Sequence, residues 1–232
     1  METNEHLLDN AVWWSLLSDH RHLAETHGRA ARYRDVVSPF SAVESFDKES
    51  WNDLHALVGG SSACVLFGAD IPTALPPGWS LKARGTGRQM HVDPDEIDDR
   101  DPIEIRSLMT DDVPQMLELA RLTQPGPFLP STIAMGSYFG HFRDGHLVAM
   151  AGERLRPDGF AEVSAVCTHP DAQRQGLASA LTNRVARGII EKGRRPFLHV
   201  AESNEKARRV YEGLGFRQRR RVEFVLVNTP PV

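Results

Sequence analysis

Cysteine is nearly absent from this chain, and its 2 examples, Cys64 and Cys167, lie far apart and match no metal-ligand spacing. That usage fits a reduced, cytoplasmic protein and gives no reason to expect a bound metal. Basic charge is not in excess either: 27 Lys and Arg face 31 Asp and Glu, for a net charge of -4, which excludes a dedicated nucleic-acid binder. No apolar run approaches the length of a membrane span, and the start METNEHLLDNAVWW carries acidic residues where a signal peptide needs positive charge. No membrane partner is therefore expected. What is present is ordinary: 41% hydrophobic and 25% charged residues over 232 positions exclude wholesale disorder and allow one large domain or two small ones.

Residues 69–102 are poor in apolar periodicity and rich in Gly, Pro and Asp, so they mark a boundary between an N-terminal domain, 1–100, and a C-terminal domain, 101–232. The N-terminal part shows helix-like groups (Trp13, Trp14, Leu16 and Leu17; Leu54, Leu57 and Val58) and an apolar run at 63–67, but no legible chemistry. His20, His22 and His27 share no helix face and read as solvated. Gly85-Thr86-Gly87 lacks the strand-helix context of a nucleotide loop.

The C-terminal part is more orderly. Thr110 and Asp111 precede a helical spacing at Val113, Met116, Leu117 and Ala120. Strand-like runs follow at 138–142, 147–152 and 161–168, the first two joined across Asp144-Gly145, and they predict an antiparallel meander. Leu177, Leu181, Val185 and Ile189 then recur every four residues on one helix face that Gly193 can end. A strand at 197–201, a helix capped by Asn204 and a strand at 221–227 complete a mixed α/β order.

The junction after the third strand carries the chemistry. A helix N-terminus offers unbonded amides and the positive end of a dipole to a phosphate, and small residues allow close approach. Gly176 and Ala178 supply the small residues here and Arg174 a full charge. Gln-x-x-Gly-x-Ala at 173–178 resembles the pyrophosphate motif of the GNAT superfamily of N-acetyltransferases. Asn204, Ala207, Tyr211, Gly215 and Phe216 continue the likeness as N-x-x-A-x-x-x-Y-x-x-x-G-F. The resemblance covers about residues 103–227 and implies a mixed sheet of GNAT type with flanking helices. The preceding α/β part is either a degenerate half-copy of that fold or an added substrate-side domain.

Carried onto this sequence, the resemblance implies acetyl-CoA as acyl donor. Val166, Cys167 and Thr168 pair with the pantetheine arm through their backbone; Gln173, Arg174, Gln175, Gly176, Leu177, Ala178 and Ser179 hold the pyrophosphate; Asn204 bonds the arm or helps splay the neighbouring strands, and Ala207 joins the cofactor-binding residues. Tyr211 takes the place of the general acid, Glu162 that of the base with Glu153 in reserve, and the Val166 amide that of the oxyanion donor. Phe128, in the loop 124–130, is expected to face the acceptor. The implied acceptor is a primary amine of a small molecule or amino-acid-like compound; a homodimer is left open. The rival reading is a catalytically silent acyl-CoA-binding regulator. The basic run Arg217, Arg219, Arg220 and Arg221 reads as solvated surface, and His199 as a structural histidine.

Overall fold

The computed structural model describes residues 4–97 and 103–231, so the boundary expected at residues 100 and 101 lies outside the described residues. After a 3-10 segment, Asn4–Asn10, come α1 (Ala11–Leu17), β1 (Ala24–His27), β2 (Ala30–Tyr33) and β3 (Phe40–Val43). Helix α2 (Lys48–Val58) starts where Asp47 accepts a 2.8 Å hydrogen bond from the Ser50 amide, and ends at Gly59, whose φ of 89° suits glycine. Then follow β4 (Ala63–Gly68), β5 (Ser80–His91), β6 (Arg106–Leu108), α3 (Val113–Thr123), β7 (Tyr138–Arg143) and β8 (His146–Glu153). The β7–β8 turn uses Asp144 and Gly145 at φ 51° and 79°, the left-handed pair that matches strand twist. The chain closes with β9 (Phe160–Thr168), α4 (Leu177–Glu191), β10 (Arg195–Ala201), α5 (Glu205–Gly213) and β11 (Arg217–Asn228).

Among the described residues the strands form one 11-stranded sheet, in the order β1-β2-β3-β4-β11-β5-β10-β9-β8-β7-β6. The order repeats a path. β1, β2 and β3 are antiparallel, α2 crosses over, and β4 returns parallel to β3. β7, β8 and β9 are antiparallel, α4 crosses over, and β10 returns parallel to β9. Each run then gives its last strand away: β5 pairs with β10, β11 pairs with β4, and β5 and β11 pair with each other at the centre. Residues before and after position 100 therefore share one sheet.

Strand β5 falls inside the stretch that sequence alone marked as a boundary. Its segment SLKARGTGRQMH lacks apolar alternation, and its first half is exposed. Ladder bonds to β11 along its length, and to β10 from Gly87 to His91, hold it instead.

Helices cover both faces. On one, Leu177, Leu181, Val185 and Ile189 of α4 and Tyr211 of α5 pack on Ala149, Ala161, Val163 and Leu198, as the four-residue spacing predicts. Trp51 and Leu54 of α2 cover Val43, Leu66 and Val225. On the other face, Val12, Trp13 and Leu16 of α1 meet Phe40, Phe67, Phe160 and Phe197, while Met116 and Leu119 of α3 meet Tyr138, Met150 and Cys167. No described helix is long and apolar enough to cross a membrane.

Two surface readings change. His20 is buried: Nε2 donates to the Met135 carbonyl at 2.9 Å, which leaves Nδ1 to accept from the Tyr33 hydroxyl at 2.8 Å. Burial lowers its pKa to about 4 and keeps the ring neutral. Part of the run at 217–221 is also tied down, since Arg219 and Arg220 reach Asp9 at 2.7 and 2.8 Å and Arg217 reaches Asp93 at 3.1 Å, while Arg217 and Arg221 stay exposed at the surface. Those carboxylates are distant in sequence, so the run alone could not show the pairing.

At Gly87 the sheet admits no side chain: a Cβ there would stand 2.8 Å from the Val200 carbonyl oxygen, on backbone that cannot swing aside. Gly87→Ala is expected to cost about 1–3 kcal/mol, read as a lower urea midpoint with an unchanged slope.

Candidate active site

Two parallel strands stop pairing at the centre of the C-terminal half. β9 and β10 match from Phe160–Arg195 to Val163–Leu198 and no further. On its other side β9 bulges, because Ala165 and Val166 together face Ala151 of β8. Ala165 adopts φ 51°, rare outside glycine, and the extra residue bends the strand away from β10. Beyond the last pair, the edge of β9 carrying Val166, Cys167 and Thr168 has no strand partner among the described residues and becomes the wall of a cleft of about 540 Å³.

A buried ion pair sits at the crotch of this fork. The Glu162 carboxylate, fully buried, accepts Arg154 Nε at 2.8 Å, Arg154 Nη2 at 2.5 Å and His199 Nδ1 at 2.7 Å. His199 lies on β10, so the last bond ties the two strands together just before they part. Because His199 Nδ1 must donate to a carboxylate, Nε2 accepts, and the Gln89 amide supplies its hydrogen at 3.0 Å. Burial alone would push the Glu162 carboxyl up; the Arg154 charge and the His199 contact outweigh it and hold the pKa at about 2. Burial keeps His199 below its ordinary range and so neutral at pH 7.

The far end of the cleft is an uncapped helix start. Helix α4 begins at Gly176, in the left-handed region at φ 78°, with no side-chain cap and no acidic residue in its first turn. Its first bonded amide is that of Ala180, to the Gly176 carbonyl at 3.0 Å, so the amides of Leu177, Ala178 and Ser179 point outward unclaimed by the helix. The other half of the sheet makes the contrast. There Asp47 already caps α2 and Glu49 lies in its first turn. The gap between β3 and β4 is bridged as well: Asn10 donates to the Val43 carbonyl at 2.7 Å, and the Ala69 amide donates to the Asp9 carbonyl at 3.0 Å. One helix terminus is thus satisfied by the protein's own anions, and the other is not.

Tyr211 stands in the cleft wall opposite β9. It is 7% exposed, and its hydroxyl makes no hydrogen bond among the described residues. Burial, with the Cys167 and Glu162 side chains adding to it, raises its pKa to about 12, so the phenol keeps its proton. The Cys167 thiol is also driven up by burial, to about 11, and remains an unreactive thiol.

Of the residues expected to meet the donor, Val166, Cys167, Thr168, Gln173, Arg174, Gly176, Leu177, Ala178, Ser179, Asn204, Ala207 and Tyr211 line this one cleft. Gln175 turns aside to accept from Arg143 at 2.6 Å, and the Asn204 side chain caps α5 by accepting from the Ala207 amide at 3.1 Å. Glu162 lies behind the wall in its ion pair, and Glu153 is buried against Arg156 and Lys192. Phe128 packs on Tyr138, ring centroids 5.7 Å apart, outside the cleft lining. The same loop instead presents Gln124 and Pro125, together with Thr123, Lys206 and Val210, none of them singled out from sequence. Lys206, inside the second motif, was the one whose charge could have been read there.

A family model described as FR47-like protein matches residues 138–225. A GNAT-family protein of Novosphingobium aromaticivorans DSM 12444 is 36% identical and superposes with a TM-score of 0.84 over 97% of this chain and 99% of its own. A GCN5-related N-acetyltransferase from Kribbella flavida, 16% identical, shares the fold at a TM-score of 0.65 over 97% of this chain and 96% of its own. A stretch of 90 residues is 37% identical to mycothiol acetyltransferase of Thermomonospora curvata, covering 38% of this chain and 30% of that relative's length. The chain belongs to the GNAT family of acetyltransferases.

Glu162→Gln leaves the buried Arg154 charge without its partner and is expected to cost about 3–5 kcal/mol at neutral pH. The folded pKa of about 2 lies below the ordinary 4.5, so the wild-type stabilisation is complete above 4.5 and is lost as pH falls through 2. Denaturation midpoints from pH 7 to pH 2 should therefore converge for the two proteins at the acid end; parallel curves would remove the carboxylate from this role.

Proposed function

We propose that the chain transfers an acetyl group from acetyl-CoA to a primary amine of a small molecule or amino-acid-like acceptor, by direct attack while both are bound. The observation that carries this reading is the uncapped α4 terminus at one end of the cleft and the unpartnered Tyr211 hydroxyl along its wall. Backbone amides of 176–179 and the Arg174 charge suit a pyrophosphate, and the free edge of β9 suits the amide-bearing arm that follows it. Acetyl-CoA brings the activated thioester; the residues of this chain position it and manage protons.

Tyr211 donates its hydroxyl proton to the sulfur as the carbon–sulfur bond breaks, and the new carbon–nitrogen bond leaves the acceptor nitrogen with one proton to lose. Glu162 is ionised but held by Arg154 and His199, so it serves as a positioning residue and water at the cleft mouth takes that proton. The Val166 amide, on the bulged edge, meets the charge that develops on the carbonyl oxygen. With its high pKa, Cys167 is unsuited to carry an acyl group covalently, which favours direct transfer.

The acceptor side supports a small substrate. The loop that begins with Gln124 and Pro125 at the cleft is tied to the N-terminal half, where the Ser131 amide donates to the Val36 carbonyl at 3.0 Å and the Thr132 hydroxyl to the Val37 carbonyl at 2.6 Å. This brace narrows the approach. The N-terminal half, with its own helix terminus capped and its strand gap bridged, is read as a silent partner, and one donor binds per chain. Two free, buried cysteines fit a reducing, cytoplasmic setting.

Acetyl-CoA is expected to raise the melting temperature where ATP does not, and a panel of primary amines to release free CoA thiol. Tyr211→Phe should lower kcat by about 10²- to 10³-fold with little change in donor affinity. Unchanged turnover in that variant would remove Tyr211 as the acid, and a shift with ATP but not acetyl-CoA would overturn the donor assignment.

A further inference from the structure

Many cations of this chain are spent on the protein's own carboxylates. Arg88 meets Glu202 at 2.5 Å, Arg208 meets Glu212 at 2.8 Å and Arg217 meets Asp93 at 3.1 Å. Two are not. Arg174 and Lys206 both line the cleft, and neither has an ion pair or hydrogen bond among the described residues. Glu205, the acidic neighbour of Lys206, is directed to Arg209 at 3.8 Å instead.

The two free cations stand on different walls. Arg174 belongs to the loop that enters α4, where its left-handed φ of 62° sets it beside the amide cradle. Lys206 projects from the first turn of α5, on the side of Asn204 and Ala207. A donor of the kind proposed above carries two separated centres of negative charge. Its pyrophosphate has about one charge per phosphate and is served by the amides and Arg174. Its ribose 3′-phosphate is a monoester, close to −2 at neutral pH because its second pKa is about 6, and the amide cradle holds nothing further for it. An ammonium on a flexible stem meets such a group as a point charge.

Resting on the acetyl-CoA reading, we propose that Lys206 reads the 3′-phosphate, so that this chain selects the 3′-phosphorylated donor over its dephospho form. Lys206 is then a binding and specificity residue, distinct from Arg174, which serves both donors alike.

The test is binding and turnover of the full chain with acetyl-CoA and acetyl-dephospho-CoA. Wild type is expected to prefer acetyl-CoA by about three- to tenfold, less so at raised salt. Lys206→Gln should abolish that preference while leaving the dephospho affinity unchanged, and Lys206→Arg should retain it. Arg174→Gln should weaken both donors equally. A wild type that binds both donors equally, or a Lys206→Gln variant that loses affinity for both in the same ratio, overturns the assignment and leaves acetyl-CoA as donor. Failure of wild type to bind either donor is the separate outcome that overturns the donor reading, and this inference with it. Lys206 is exposed, so a melting temperature equal to wild type shows that the variant is folded.

Discussion

The active cleft exists because two parallel strands part, and a buried carboxylate holds the point at which they do so. Glu162 joins Arg154 at the end of β8 to His199 on β10, one residue before the last paired position of β9. Beyond it, the bulge at Ala165 turns the strand edge toward the cleft. The pin is costly to bury and depends on its complement: four donors, the Leu155 amide among them, reach one carboxylate, and the Phe40 and Phe67 rings lie 5.2 and 5.7 Å from the Arg154 guanidinium. Removing one member leaves a charge that the interior cannot solvate. Glu162 therefore ties β9 to β10 and to Arg154 at the point where the strands part.

Those two rings come from the N-terminal half, which explains why residues 4–97 are inseparable from a cleft they do not line. They supply the ring stack over the pin, the strand β5 beside β10, and the loop that braces residues 131–132. Phe67 and Phe224 stack at 4.1 Å, so a ring from each half closes the face beneath the fork. The same half follows the same strand path, yet its helix terminus is met by Asp47 and its strand gap by residues 9–10. Two similar strand paths thus differ in a few capping and bridging bonds.

Burial also sets the protonation of the cleft. It raises Tyr211 to about 12 and Cys167 to about 11, so both stay protonated at neutral pH, while the guanidinium beside Glu162 reverses the direction there. Facing these neutral donors, Arg174 and Lys206 line the cleft without an ion pair among the described residues.

The sequence by itself determined what is local. The spacing of Leu177, Leu181, Val185 and Ile189 specified the buried face of α4, Asp144-Gly145 the β7–β8 turn, and Asn204 the start of α5. The two motifs named the cleft wall almost residue by residue, because a helix start and a strand end are encoded by adjacent positions. Tertiary structure alone decided what depends on partners distant along the chain. β5 carries too little apolar alternation to announce a strand and is held by ladders to β10 and β11. His20 is buried against Tyr33 and Met135, and Glu162 owes its state to Arg154 and His199. A side chain's protonation and reach depend on the charges and atoms packed around it, and for these residues the deciding neighbours come from strands and loops that only the folded sheet brings together.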